Sequence, residues 1–77
     1  MWNYRVLAHE EEGEIFLAIH EVYYNEKGKP ERYSQECAIV IGSDIKDLKW
    51  QLNKMLLYLD KPILLAGENF PKEFKTK

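Results

Sequence analysis

Seventy-seven residues with 13 acids, 11 bases and a net charge of −2 make one small domain, too short for two cores and not basic enough to grip a phosphate backbone by charge. A domain of this size buries only about 60% of its unfolded surface, so it leans on tight packing or on a partner chain. The single cysteine, Cys37, rules out an internal disulfide and fits a reducing compartment. "MWNYRVLAHEEE" lacks a signal-peptide pattern and no apolar run is long enough to span a bilayer, so the expected location is cytoplasmic.

Residues 2–8, "WNYRVLA", alternate. Trp2, Tyr4, Val6 and Ala8 point one way; Asn3, Arg5 and Leu7 point the other, as in a half-buried strand. "HEEEG" follows as an acidic turn, with Gly13 free to take a positive φ. Residues 14–24, "EIFLAIHEVYY", are rich in β-formers and make a long second strand. "NEKGKP" breaks it: Asn25 and Gly28 are turn residues, and Pro30 has no N–H for a ladder. Residues 31–36 return along the second strand, and "CAIVI" at 37–41 continues it or forms a separate extended piece.

"GSD" at 42–44 punctuates the chain before a helix. Ser43 is the expected N-cap, with Asp44 in the first turn and no capping box, because Lys46 stands three residues later. Ile45, Leu48, Leu52, Met55, Leu56 and Leu59 then fall within an arc of roughly 100°, the expected core stripe. Pro62 stops the helix near Asp60 or Lys61. "ILLAG" at 63–67 reads as a short strand or an extended segment, and the last few residues of the polar end are expected to be mobile.

The expected class is α+β: a three-stranded antiparallel meander with one helix on one face and room for a short fourth strand after it (β-β-β-α-(β)). One domain spans 1–77, with the sheet in 2–41, the helix in 44–60, and an extended segment and tail in 62–77. A four-residue loop at 10–13 would set His9 against Glu14, Val6 against Leu17, Tyr4 against Ile19 and Trp2 against Glu21. One face then collects Trp2, Tyr4, Val6, Ala8, Ile15, Leu17, Ile19 and Tyr23, the expected core under the helix. A slip of one residue would instead put Arg5 beside Glu21 as a candidate buried polar pair.

The other face holds Leu7, Phe16, Ala18, His20, Val22 and Tyr24. With one helix to cover two faces, this one is expected to stay open as an interface, joined by Trp50 and Leu57 on the far side of the helix unless Phe70 and Phe74 fold back over them.

The sequence offers little chemistry. "HEVYY" lacks the second histidine of a zincin motif and sits in a strand. His9 and His20 are expected tens of ångströms apart along the hairpin, too far to share a metal. Cys37 with His20 is the only nucleophile–base pair worth naming, and Cys37 reads as a small buried hydrophobe. The "EEEG" carboxylates are solvated, and the sheet aromatics stand among glutamates that repel phosphate. No catalytic group, metal site or cofactor is expected, and no nucleic-acid or membrane partner.

"WNYRV" (2–6), "IHEVYYNEKGKP" (19–30) and "GSDIKDL" (42–48) together resemble a family of small uncharacterised bacterial proteins with a WNYRV…IHEVYY…G pattern. The resemblance runs to about Pro62 and implies the meander-plus-helix fold; it implies no activity. The functional expectation is a non-catalytic protein–protein interaction module that self-associates as a homodimer. Two alternatives stand beside it. One is a small inhibitor or adaptor from a mobile element that docks on a larger protein machine. The other is a small-ligand binder or enzyme using Arg5, His20 and Glu21.

Overall fold

A computed structural model describes residues 1–75. β1 (Trp2–Glu11) and β2 (Glu14–Tyr24) form a long hairpin, β3 (Pro30–Tyr33) lines its outer side, α1 (Ile45–Leu57) follows, and β4 (Leu64–Leu65) closes the sheet. The strand order is β3-β2-β1-β4, with β4 parallel to β1. The expected α+β layout with a short fourth strand is present, with a shorter β3 and a mixed rather than purely antiparallel sheet.

The first hairpin turns on two residues, not four. Glu12 and Gly13 both have positive φ (51° and 83°), the requirement of a type I′ turn, whose twist matches that of the strands. Glu11 therefore pairs with Glu14, Val6 with Ile19, Tyr4 with Glu21 and Arg5 with His20. This register lies two residues from the expected one. A shift of two keeps every side chain on its face, so the division into two faces stands while every cross-strand partner changes.

The coverage of the two faces departs further from expectation. On the first face Tyr4, Val6 and Ala8 are buried, and α1 contacts β1, but Ile15 and Leu17 are exposed. The second face holds the fully buried side chains Leu7 and Val22. Residues 62–74 cover it: Leu64 packs on Leu7 and Val22, with Tyr24, Tyr33, Ala66 and Phe70 around them. The segment is fixed by Ala66 N–H donating to Ala8 O (3.0 Å), Leu65 N–H to Lys72 O and Phe74 N–H to Ile63 O (both 2.7 Å). The polar tail is thus an ordered cover through Phe74. The mobility expected of its very end falls on Thr76 and Lys77, outside the described residues.

Residues 34–38 run beside β2 as a strap, with Ser34 N–H donating to Glu21 O (2.8 Å) and Ala38 N–H to Ile19 O (2.7 Å). "CAIVI" adds no strand; Ile39, Val40 and Ile41 are exposed in the connection to the helix.

The N-cap of α1 is Asp44, not Ser43: its Oδ1 accepts from Asp47 N–H at 2.9 Å. Asp47 in turn accepts from the Ser43 hydroxyl (2.9 Å) and N–H (3.3 Å), so the N-cap lies one residue later than expected and the helix start has reciprocal side-chain bonds where no capping box was expected. Gly42 permits it, because a Cβ there would meet Asp47 Cβ at 2.6 Å. The helix ends at Leu57 rather than near Asp60. Beyond it the bonds tighten to i→i−3, as for Leu59 N–H to Leu56 O, ahead of Pro62.

Candidate functional site

Two features stand out from the packing: an apolar helix stripe without a cover, and a pair of histidines. At 100° per residue, the buried Met55 and the half-buried Leu48, Gln51, Lys54 and Tyr58 define the side of α1 that faces the protein. The apolar stripe is turned roughly a quarter turn from that side. Ile45, Leu52 and Leu56 are consequently exposed, Leu56 at 64% and Ile45 at 66%, and Leu59 is exposed just past the helix end. The side chain of Gln51 helps set this rotation, since it bonds both the N–H and the carbonyl of Ile41. Toward the start of β1, a cleft of about 200 Å³ opens between Trp2, Asn3, Trp50, Lys54 and Tyr58.

The end of the hairpin extends beyond its neighbours. β4 pairs only with Leu7 and Ala8, and β3 only with Val22–Tyr24, so residues 9–16 form a two-stranded ribbon with free edges. The ribbon carries exposed Ile15 and Phe16 below a tip of Glu10, Glu11, Glu12 and Glu14.

His9 and His20 lie on the second face, where the strand-length estimate kept them far apart. Their Nε2 atoms are 2.9 Å apart. The two-residue register shift brings them closer by about 6.6 Å, and only the methyl of Ala18 separates His20 from Phe16 on that face of β2. His20 is the one buried polar residue among those described, at 2% exposure. Its Nδ1 lies 2.9 Å from Ser34 O and 3.3 Å from Ser34 Oγ. A carbonyl can only accept, so Nδ1 of His20 carries the proton, Nε2 is an acceptor, and His9 Nε2–H is the donor between the rings. His9 also stacks on Phe16 at 5.0 Å, and the edge of His20 meets Tyr33 at 5.3 Å. Burial lowers the His20 pKa, the bond to the Ser34 carbonyl works in the opposite direction, and the charge of a protonated His9 lowers it again.

Arg5 and Glu21 do not form a pair. Adjacent register positions put them on opposite faces. Arg5 Nη1 donates to Tyr24 Oη (3.0 Å) and Nη2 to Pro62 O (2.7 Å), tying β1 and β2 to the chain beyond α1. Its Nε is buried without a partner. Glu21 accepts from Tyr23 Oη at 2.7 Å, which raises the Tyr23 pKa; burial and then Glu21 raise that of Tyr4. A site built from Arg5, His20 and Glu21 together is therefore absent.

Of the expected open face, Leu7, His20 and Val22 are buried and unavailable to a partner, Ala18 and Tyr24 are half-buried, and Phe16 is exposed. Trp50 and Leu57 are exposed; Phe70 lies against Tyr33 rather than over them. Cys37 is exposed, not buried, while both ring nitrogens of His20 are already engaged. Reading Glu12-Gly13 as a two-residue turn would have given the register. Nothing in the spacing reveals the helix rotation, which depends on Gln51 and Ile41.

Among the described residues there is no cluster of three or more His, Cys, Asp or Glu able to hold a metal, and no helix long and apolar enough to cross a membrane. No family model, curated protein or solved structure matches the chain.

Proposed function

We propose that this protein is a non-catalytic interaction module whose partner is a second copy of itself. The observation that carries the reading is the helix stripe: Ile45, Leu52 and Leu56 are exposed along one side of α1, with Leu59 exposed just past its end, although the sequence patterns them for burial. Fully burying one such side chain contributes about 1.5–3 kcal/mol, so a stripe of this kind left in water favours association.

Charge supports a second copy as the occupant. The stripe is bordered by Lys49, whereas exposed Ile15 and Leu17 sit below the four glutamates of the hairpin tip. One chain thus carries a base-rimmed and an acid-rimmed apolar patch. A two-fold pair sets each against the other twice, which is how isologous interfaces gain complementarity.

Size-exclusion chromatography with light scattering at tens of micromolar tests this. The expected result is a dimer that Leu56→Asp converts to a folded monomer. A monomeric parent, or a Leu56→Asp variant that still dimerises, overturns the reading.

A further inference from the structure

We propose that the His9–His20 contact is a proton-operated latch on the strap of residues 34–38, and that acid releases the strap and opens the outer edge of β2.

The geometry admits one proton between the rings. With Nε2 facing Nε2 at 2.9 Å, a single N–H bridges them; two would collide. A proton arriving on His9 Nδ1 leaves the bridge intact. A proton arriving on His20 Nε2 breaks it, and places a cation at a position only 2% exposed.

Nothing nearby offsets that charge. Arg5 of β1 stands opposite His20 in register and is itself a cation. Tyr24 of β2 donates its hydroxyl proton to Asn3 Oδ1 at 2.7 Å. Tyr33 at the end of β3 presents a ring to His20 and takes the Gly67 N–H on its oxygen. On the covering segment, Phe70 is uncharged. Glu36 of the strap reaches the site only by its carbonyl, which accepts from Ser34 Oγ. The only ion pair among the described residues is Lys75–Glu73, so no carboxylate of the described residues lies within 4.0 Å of a nitrogen of either imidazole.

The strap is what His20 holds. Ser34 meets the ring through its carbonyl and its hydroxyl, and the same hydroxyl accepts from Glu21 N–H at 3.2 Å. Only the Ser34 and Ala38 amides pair the strap with the β2 edge. Moving the ring removes the side-chain anchor between those two bonds. A strand edge freed in this way offers the carbonyls of Ile19 and Glu21 to an added strand.

Amide exchange by NMR, corrected for intrinsic rates, tests the latch between pH 7.5 and 5.0. The expected result is at least a tenfold loss of protection at Ser34 and Ala38 on acidification, while the β1–β2 ladder stays protected. His20→Gln, which keeps an amide for Ser34 and does not titrate, should flatten the response. If that variant does not fold, His9→Gln serves: its amide can still donate to His20 Nε2, and because His20 is the group whose protonation breaks the bridge, the acid step should persist. Unchanged protection in the parent, an acid step that keeps its steepness in His20→Gln, or loss of the step in His9→Gln overturns the proposal.

Discussion

On the second face of the sheet, Leu7 and Val22 lie under Leu64, with half-buried Ala66 and Phe70 of the covering segment and Tyr24 and Tyr33 of the sheet around them. On the first face, Ile15 and Leu17 stay in water, and the helix above β1 buries Met55 while leaving Ile45, Leu52, Leu56 and Leu59 outside. The first face is the richer in apolar residues, yet it is the less covered. What separates them is the fit of the cover. A chain segment with no regular period follows the surface it lies on, whereas a helix presents one rigid side. Here that side is set by caps and by Gln51 rather than by the apolar stripe.

The contrast predicts different costs for similar truncations. Leu7→Ala removes a side chain with no exposed surface and should destabilise by about 2–5 kcal/mol in urea unfolding. Leu56→Ala under dilute, monomeric conditions should stay within about 0.5 kcal/mol of the parent. Equal costs would break the comparison by showing that the stripe is covered within one chain.

Arg5→Met keeps the aliphatic stem but loses the bonds to Tyr24 and Pro62, and should cost about 1–3 kcal/mol. A cost near zero would mean that the tie to Pro62 does not hold the cover in place.

The histidines sharpen the comparison through pH. The folded pKa of His20 lies below its ordinary value near 6.5, so below that pH the unfolded chain binds more protons than the folded one. Stability from this group is full above about pH 6.5 and falls as pH drops toward the folded pKa, by at most about 1.4 kcal/mol per unit. Chemical denaturation at several pH values should show this slope in the parent and lose it in His20→Gln. The same slope in both would assign it to carboxylates.

Asn25→Ala removes the Oδ1 that accepts from Lys27 N–H (2.9 Å) and Lys29 N–H (3.0 Å) in the second turn, and should cost about 1 kcal/mol in thermal or urea melts. One effect runs the other way. Glu12 holds a positive φ that asparagine adopts more readily, so Glu12→Asn should raise stability by about 0.5–1 kcal/mol. No gain would indicate that the acidic side chain contributes to the turn.

Alternation in "WNYRVLA" and the presence of a helix after "GSD" were legible because they rest on periods local to each element, whereas the helix stops at Leu57, short of the end near Asp60 or Lys61 expected from Pro62. Also legible was the division of hairpin residues between faces, which survived a two-residue register error because parity is insensitive to it. Which face is better covered was not legible. It depends on Leu64 and Phe70 reaching Leu7, Val22 and Tyr33 across long stretches of sequence. The histidine pair was hidden by the same register error, which overstated its separation, and by the small side chain of Ala18. The exposed stripe was legible as a stripe; its exposure was not, because rotation of a helix is fixed by tertiary contacts.

The parallel pairing of β4 with β1 joins Leu7 to Leu64 and Ala8 to Leu65, residues far apart in sequence. A ribosome emits β1 and β2 long before the segment that covers them, and the local hairpin can close while Leu7 and Val22 are still bare. The most deeply buried surface of the finished protein is therefore the last to be shielded during synthesis. For that interval the nascent chain exposes both faces at once, and any factor that captures it early meets the Leu7–Val22 surface that the folded protein never displays.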